Sequence, residues 1–249
     1  MIKAVNLTKT FGDFKAVDNV NLNIKSGEIY GFLGPNGAGK TTTIRMLTGS
    51  LNKTSGDIII LDKDFSKNEI FLKSQLGVVP DEPKMYENLK GTEYIEFIIG
   101  IYKCNRDETL KRFKELCEAF DIDYLNNYIG DYSHGMKQKL MVTSVLMRRP
   151  KVIFLDEPTV GLDARSAKIL KNLLEKYKSE GSTIFLTTHI LEIAEKMCDR
   201  ISIISNGKIL AEGNMEELRN MANKESGTLE DIFLELTDSG ELDDIIEEL

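Results

Sequence analysis

The sequence predicts an α/β fold, with a parallel sheet flanked by helices, an antiparallel β region from residues 1–30 and a helical subdomain inserted at about 88–148. Three observations predict this fold. A fully apolar strand is followed by a glycine-rich loop and then by a helical segment. Strands and helices alternate after residue 150, which indicates right-handed βαβ units in a parallel sheet. The block before them, from residue 88 to residue 149, has helical patterns.

The individual elements follow from hydrophobic periodicity and from turn residues. Residues 20–24 alternate between apolar and polar side chains, which predicts a half-buried strand, whereas the uninterrupted run at 29–33 predicts a buried one. The predicted strands are 20–24, 29–33, 57–61, 76–79, 152–155, 183–188 and 201–205. The predicted helices are 42–48, 93–102, 107–120, 135–147, 164–180 and 190–198.

The carboxyl end of the chain contains a hairpin and an acidic helical tail. Asn206-Gly207 lies between two apolar runs and predicts a type I′ hairpin that ends the sheet. We therefore expect a main domain, residues 1–213, and an acidic helical extension, residues 214–249. The extension contains two amphipathic patterns of identical spacing, Leu229-Ile232-Phe233-Leu236 and Leu242-Ile245-Ile246-Leu249.

Composition and charge exclude several classes of protein. The formal net charge of the 249 residues is −8, and residues 212–249 alone contain 13 acidic and 2 basic residues. An acidic chain without a basic stripe is a poor nucleic-acid binder, because neutralisation of phosphates supplies most of that affinity. No run of 18 apolar residues and no secretory leader occur, so we expect a cytoplasmic protein. The three cysteines lack metal-ligand spacing, so we expect reduced packing residues.

The glycine-rich loop has the formula of a phosphate-binding loop, Gly34-x4-Gly39-Lys40-Thr41, between a buried strand and a helix. Its glycines let successive backbone N–H groups point at the β-phosphate from the helix N-terminus. In this arrangement Lys40 reaches the β- and γ-phosphates, and the Thr41 hydroxyl completes the Mg²⁺ shell. The loop therefore predicts binding of ATP or GTP with Mg²⁺. Its nucleotide-binding candidates are Asn36, Gly37, Gly39, Lys40, Thr41 and Thr42.

Two adjacent carboxylates, Asp156 and Glu157, follow the predicted strand 152–155. They lie at the carboxyl edge of the sheet, which is where α/β proteins bind ligands. Because adjacent residues of an extended chain point in different directions, Asp156 can address Mg²⁺ while Glu157 addresses the attacking water as a general base. Asp-Glu after an apolar strand is a weak signal in isolation, but beside a phosphate-binding loop it predicts a hydrolytic site.

Two further residues have both a functional and a plain structural interpretation. His189 follows the predicted strand 183–188, so it lies either near the γ-phosphate or on the surface without a role. Ser133 precedes a long helix, where it either offers a second set of N–H groups to an anion or only caps the helix.

These motifs resemble those of the ATP-binding subunits of ABC transporters, in the family's order and over residues 2 to about 213. Residues 34–42 resemble the Walker A motif, residues 154–158 the Walker B motif and residues 161–163 the D-loop. The stretch Tyr132-Ser133-His134-Gly135-Met136 occupies the place of the Leu-Ser-Gly-Gly-Gln signature and keeps its serine and second glycine. The resemblance implies a RecA-like P-loop NTPase core.

The resemblance also implies roles for single residues. His189 corresponds to the switch histidine, and together with Glu157 it would be catalytic. Ser133 and Gly135 of one chain would cover the nucleotide bound by another, with Asp163 at the same interface. Phe11 resembles the aromatic residue that stacks on adenine, although an aromatic near a strand is also explained as plain core.

One part of the sequence departs from the family pattern. The family usually has a Q-loop glutamine that contacts Mg²⁺ and water, but residues 77–83 contain no glutamine. Asp81 is the candidate replacement, and Glu82 is the other. A carboxylate there adds negative charge beside the phosphates, so it either binds the metal more tightly or faces away. This variant, the relaxed signature and the tail pattern at 228–233 are similar to subunits of ABC-2-type exporters.

The resemblance implies a subunit on the inner face of the cell membrane that hydrolyses ATP to power transport. Its implied partners are a separately encoded transmembrane permease and, in the ATP state, a second ATP-binding subunit, either an identical chain or a paralogue. Nucleic acid is not an implied partner. Export of a drug, peptide or similar compound fits the ABC-2 resemblance. The alternatives are a soluble ABC ATPase that acts without a permease and a non-catalytic nucleotide-gated module.

Overall fold

The computed structural model describes residues 1–222 and 227–237. The strands are β1 Ile2–Phe11, β2 Phe14–Ile24, β3 Ile29–Leu33, β4 Ser55–Ile60, β5 Lys63–Asp64, β6 Leu76–Val79, β7 Val152–Asp156, β8 Thr183–Thr188, β9 Arg200–Ser205 and β10 Lys208–Gly213. The helices are α1 Lys40–Leu47, α2 Glu69–Gln75, α3 Gly91–Tyr102, α4 Arg106–Phe120, α5 His134–Leu146, α6 Ala164–Ser179, α7 Leu191–Met197, α8 Met215–Met221 and α9 Leu229–Thr237, with a 3₁₀ turn at Ile129–Asp131.

A six-stranded sheet forms the centre of the fold, in the order β10-β9-β3-β8-β7-β6. All neighbouring pairs are parallel except β9 and β10. These two strands form the hairpin that the sequence predicts, and Asn206 and Gly207 adopt positive φ angles of 47° and 76°, as a type I′ turn requires. Because β3, β7 and β8 are adjacent and parallel, their carboxyl ends meet at one edge of the sheet.

A second, antiparallel sheet has the order β2-β1-β4-β5. It extends beyond the predicted residues 1–30, because β4 follows α1 in sequence yet pairs with β1, Ile2 opposite Ile60. β2 begins at Phe14 rather than at residue 20, and helix α2 has no counterpart among the predicted elements. Pairing between strands that are distant in sequence is set by tertiary packing, which local periodicity does not report.

Both faces of the parallel sheet are buried, which explains why its strands are uninterrupted apolar runs. Along β7, Ile153 and Leu155 face a core shared with α3, α4, α5 and α6, whereas Phe154 faces the core beneath the antiparallel sheet. The ring of Phe185 packs in that second core, with its centroid 5.6 Å from that of Phe154 and 5.3 Å from that of Phe32. The sheet therefore holds the strand ends at its edge in fixed positions.

Helices α3, α4 and α5 lie between β6 and β7 in sequence, where the helical insertion is predicted. Of the tail, α8 and α9 are described, and the buried Leu229 and Ile232 pack α9 into a core with residues of α7 and β9. The second amphipathic pattern, Leu242 to Leu249, lies outside the described residues. No helix within 1–222 and 227–237 is long and apolar enough to cross a membrane.

Candidate active site

The phosphate-binding loop connects β3 to α1 and lies at the carboxyl edge of the parallel sheet. Two of its glycines are required by close backbone contacts. A Cβ at Gly34 would lie 2.2 Å from the carbonyl oxygen of Ile204, and one at Gly39 would lie 2.5 Å from that of Ala16. Gly39 also has a φ of 108°, which an L side chain rarely adopts. The sequence therefore folds this loop tightly against β2 and β9.

Lys40 opens α1 with its side chain folded back over the loop. Its Nζ donates hydrogen bonds to the carbonyl oxygens of Gly34, at 2.7 Å, and Pro35, at 3.1 Å. Burial lowers the pKa of this ammonium, and the nearby carboxylates Glu157 and Asp156 act in the opposite direction. A phosphate group fits the loop, because a Cβ at Gly37 would meet no heavy atom within 4 Å and the backbone there faces open space.

Asp156 and Glu157 form contacts with different residues of the neighbouring strand and the segment after it. Asp156 is buried, and its Oδ1 accepts a hydrogen bond of 2.5 Å from Oγ1 of Thr187 on the neighbouring strand. Glu157 leaves the strand with a φ of 49°, in the left-handed region that non-glycine residues rarely occupy. Its N–H donates to the carbonyl oxygen of Thr187 at 3.1 Å. A backbone conformation of this kind persists only when its surroundings hold it, and it is concentrated at functional sites.

His189 follows β8 and contacts the carboxylate of Glu157 twice. Its Nδ1 lies 3.0 Å from Oε2 of Glu157, and its backbone N–H donates to the same oxygen at 3.2 Å. The Glu157 side chain is mostly buried while that of His189 is exposed, at 12% and 58%. The structure therefore brings together the two residues that the sequence predicts to be catalytic.

Two adjoining cavities surround these groups. One, of about 350 Å³, is lined by the loop and by Phe11, Phe14, Lys40, Asp156 and Glu157. The other, of about 430 Å³, is lined by Pro35, Asp81, Glu157, His189 and Phe233. Asn36, Asp81 and Glu157 line both cavities. Together they form a groove in which the carboxylates of Asp81 and Glu157 belong to the shared part, and each cavity has at least one aromatic residue in its lining.

Sequence reasoning missed several of the lining residues, and two of these are aromatic. Phe14 lies opposite Phe11 across the β1–β2 turn, and both rings are exposed, at 64% and 50%. An exposed aromatic residue next to a predicted adenine contact was the available signal for Phe14. Phe233 comes from α9, 26 residues after Gly207 of the hairpin. It belongs to the tail's first amphipathic pattern, and nothing local in the sequence links it to this cavity.

Asp81, a sequence candidate for the Q-loop position, lies two residues after the end of β6 at Val79. Partial burial raises the pKa of Asp81, and the charges of Asp156 and Glu157 raise it further. Glu82 lines neither cavity and pairs with Lys84 at 3.5 Å. Of the two sequence candidates, Asp81 is therefore the one that faces the groove. The oxygens of Thr41, Asp156 and Asp81 line one cavity, and such hard oxygen ligands suit Mg²⁺.

The signature residues do not line either cavity. Ser133 caps α5, and its Oγ accepts a hydrogen bond from the N–H of Met136 at 3.2 Å. Asp163 caps α6 through the N–H of Ser166 at 2.8 Å and forms an ion pair with Lys139 at 2.9 Å. The Lys139 ammonium holds the pKa of Asp163 well below its ordinary value. Within the described part of one chain, Ser133 and Gly135 at the N-terminus of α5 therefore do not line the groove.

Comparison with known proteins agrees with this geometry. The family model described as ABC transporter matches residues 17–160. The bacitracin transport ATP-binding protein BcrA of Bacillus licheniformis is 39% identical over 229 residues, which are 90% of this chain and 73% of BcrA. The lantibiotic transport ATP-binding protein SrtF of Streptococcus pyogenes is 36% identical over 226 residues, which are 88% of this chain and 96% of SrtF.

Solved structures show the same similarity. An ATP-binding subunit of an ABC transporter superposes with a TM-score of 0.91 at 28% identity, over 95% of this chain and 99% of the other. The ATP-binding cassette MJ0796, in a dimeric post-hydrolysis state bound to ADP and Pi, superposes with a TM-score of 0.78 at 26% identity, over 86% and 99%. With the groove, the paired Glu157 and His189 and the extent of these matches, the chain belongs to the ABC transporter family, as an ATP-binding subunit that hydrolyses ATP.

Proposed function

We propose that this chain powers export of a drug or peptide-like compound by a separately encoded membrane permease. BcrA and SrtF support the export proposal, since they are named for bacitracin and lantibiotic transport and this chain spans most of both. The subunit would then bind the inner face of the cell membrane through its permease. We also propose residues 1–213 as the ATP-binding domain and residues 214–249 as its extension.

The observation that carries the catalytic part of the proposal is the contact between Glu157 and His189. Glu157 acts as the general base that takes a proton from the attacking water, and the two contacts from His189 hold its carboxylate in one orientation. Lys40 supplies positive charge to the β- and γ-phosphates. Phosphoryl transfer depends mainly on positioning and on charge stabilisation, and these residues supply both.

The remaining site residues bind nucleotide and metal. Thr41, Asp156 and Asp81 would hold Mg²⁺. When bound, the ion would neutralise part of the negative charge of the phosphates. Phe11 contacts the adenine, and backbone N–H groups of Asn36, Gly37 and Gly39 surround the phosphates. Thr42, which lines the same cavity, is the last of the proposed nucleotide-binding residues of the loop. The cavity of about 350 Å³ that contains most of these residues supports this assignment.

Assembly into a dimer completes the proposed site. The N-terminus of α5, with Ser133 and Gly135, would cover the nucleotide of a second ATP-binding subunit, and Asp163 would lie at the same interface. The dimeric state of the similar cassette MJ0796 supports this pairing. A homodimer and a pair with a paralogue both satisfy this geometry, and no nucleic acid takes part.

A pull-down tests the proposed function against its alternative, a soluble ABC ATPase without a permease. Tagged Glu157→Gln chain, incubated with Mg-ATP and detergent-solubilised host membranes, should capture a polytopic membrane protein. The captured membrane protein, reconstituted with the wild-type chain in place of the variant, should transport a bacitracin-class peptide in an ATP-dependent manner. Capture of soluble partners alone, with no stimulation of wild-type ATPase activity by the membrane fraction, would favour the alternative. The non-catalytic module is inconsistent with the arrangement of Glu157 and His189.

A further inference from the structure

The first two turns of α5 are attached to residues 158–163, the segment that follows Glu157. The buried Gln138 donates a hydrogen bond from Nε2 to the carbonyl oxygen of Pro158, at 3.2 Å. Lys139 pairs with Asp163 at 2.9 Å. Between these two contacts, Gly135 packs so closely that a Cβ there would lie 2.6 Å from the carbonyl oxygen of Gly161. Helix α5 and the segment 158–163 therefore move together.

This segment determines where the carboxylate of Glu157 lies. The residue has a left-handed φ of 49°, so its flanking peptides must hold it there. On one side its N–H bonds to Thr187, at 3.1 Å, and on the other the N–H of Val160 closes a turn onto the carbonyl oxygen of Glu157, at 3.1 Å. The bond from Gln138 to the Pro158 carbonyl restrains the peptide between Pro158 and Thr159, the second peptide after Glu157. A displacement of α5 therefore reaches Glu157 through Gln138.

Stability does not explain why an amide occupies this position. Gln138 is fully buried, and among the described residues its Oε1 has no hydrogen-bond partner. Thr159 follows Pro158, and its buried Oγ1 likewise has no hydrogen-bond partner in the described part of the chain. Leaving the buried Oε1 without a donor is unfavourable, and this penalty offsets the stabilisation from the bond between Nε2 and the Pro158 carbonyl. Net stability therefore gives little reason for an amide at this position, which points to another role.

We propose that Gln138 is a positioning residue that couples the N-terminus of α5 to the general base Glu157. The inference rests on the proposed function, in which this N-terminus covers the nucleotide of a second subunit. Nucleotide bound in the second subunit positions α5, and Gln138 transmits that position through the Pro158 carbonyl to Glu157. Hydrolysis in each site then depends on occupancy of the other. Glu157 acts directly on the water, and Gln138 acts only through Glu157.

The test replaces the amide by an apolar side chain of similar shape. Gln138→Met is compared with wild type and with Thr143→Val, a matched control on the same helix. Thr143 is also fully buried, but its Oγ1 bonds only to carbonyl oxygens of α5, those of Lys139 at 2.9 Å and Leu140 at 3.0 Å. For each protein we would measure the melting temperature, the ATP affinity, kcat and the Hill coefficient for ATP. Dimerisation would be measured with each substitution combined with Glu157→Gln, which blocks hydrolysis.

For Gln138→Met we expect a nearly unchanged melting temperature, because removal of the unpartnered Oε1 offsets loss of the bond to the Pro158 carbonyl. The variant's ATP affinity and ATP-driven dimerisation should be unchanged. Its kcat should fall about tenfold and its Hill coefficient should fall towards 1, because the coupling is lost. Thr143→Val should match wild type in kcat and Hill coefficient. Wild-type kinetics in Gln138→Met would overturn the proposal, and so would a lower melting temperature with weakened ATP binding, which indicates a structural role. If the wild-type protein does not hydrolyse ATP and Glu157→Gln does not dimerise with ATP, the proposed function itself would be overturned instead.

Discussion

The imidazole Nδ1 of His189 lies 3.0 Å from Oε2 of Glu157, and the backbone N–H of His189 donates to that same oxygen at 3.2 Å. The two residues follow adjacent parallel strands, β7 and β8, which are bonded residue by residue up to Asp156 and Thr187. The carboxylate is therefore held from the neighbouring strand through two contacts at one oxygen. Both contacts use Oε2, and the Glu157 residue lines both cavities of the groove.

This arrangement predicts that Glu157→Gln separates binding from hydrolysis. The amide keeps the size of the side chain but is too weak a base to accept a proton from water. The variant should bind Mg-ATP about as well as wild type and lose roughly 10²-fold or more of its turnover. Equilibrium binding of a fluorescent ATP analogue checks the expected affinity. Phosphate release, measured on the same preparations, checks the expected loss of turnover. Hydrolysis at the wild-type rate would show that Glu157 is not the base.

Lys40→Ala should have the opposite effect and weaken nucleotide binding itself. The Lys40 ammonium is buried against the loop carbonyls, so its removal takes away the positive charge nearest to the phosphates. ATP affinity should fall at least about tenfold, the scale of losing a charge-assisted contact, while adenosine affinity stays unchanged. Lys84→Ala is the matched control, because Lys84 is exposed and pairs only with Glu82 at 3.5 Å. Equal losses in the two variants would contradict the assignment.

The part of the site that lies on consecutive residues could be predicted from the sequence, and the part that depends on distant contacts could not. The loop around Lys40 and the carboxylates after β7 each combine a local pattern with a known place at the sheet edge. Phe233 reaches the groove from α9, and the attachment of Gln138 to Pro158 spans 20 residues. Such contacts are fixed by how the helices pack on the sheet, which hydrophobic periodicity does not specify.

Asp81 should change the Mg²⁺ dependence of the ATPase. Its carboxyl has a raised pKa because of partial burial and the charges of Asp156 and Glu157, so a bound cation relieves repulsion there. Asp81→Gln should retain activity through an amide oxygen, whereas Asp81→Ala should need a higher Mg²⁺ concentration for half-maximal activity. Protons compete with the metal for Asp81, so the wild-type midpoint should fall as pH rises. Identical Mg²⁺ titrations for the three proteins would place Asp81 outside the site.

Two glycine substitutions should have opposite effects on stability. At Gly135 a Cβ would lie 2.6 Å from the backbone oxygen of Gly161, so Gly135→Ala must displace α5 from the segment 158–163. Its free energy of unfolding and its ATPase activity should both fall. Gly100 is an exposed residue of α3 with open space at its Cβ position, so Gly100→Ala should raise the free energy of unfolding by about 0.5–1 kcal/mol. Urea denaturation measures both, and a stable, active Gly135→Ala protein would contradict the close packing.

The position of Ser133 predicts an ATP-dependent dimer. Lys40 opens α1 at the groove, whereas Ser133 opens α5 and lines neither cavity of its own chain. A nucleotide can therefore contact both helix N-termini only if the second one comes from another chain. Two chains then bury two ATP molecules, and the γ-phosphate completes each contact. ADP lacks that phosphate, so it should not support the pairing, and blocked hydrolysis should preserve it.

We accordingly expect Glu157→Gln to be dimeric with ATP and monomeric with ADP, as measured by light scattering on purified protein. Adding Ser133→Arg should abolish the dimer, because a long cation then occupies the space over the partner's nucleotide, while nucleotide binding by the monomer stays intact. Among the described residues, the exposed Ser133 side chain forms only its cap bond to Met136, at 3.2 Å, so the substitution should leave the fold unchanged. A dimer that survives Ser133→Arg would place the interface elsewhere. If Glu157→Gln stays monomeric in saturating ATP, it should be mixed with the membrane partner. Dimerisation in that mixture would show that the partner is needed as a scaffold. Continued absence of a dimer would show that the assignment of Ser133 is wrong.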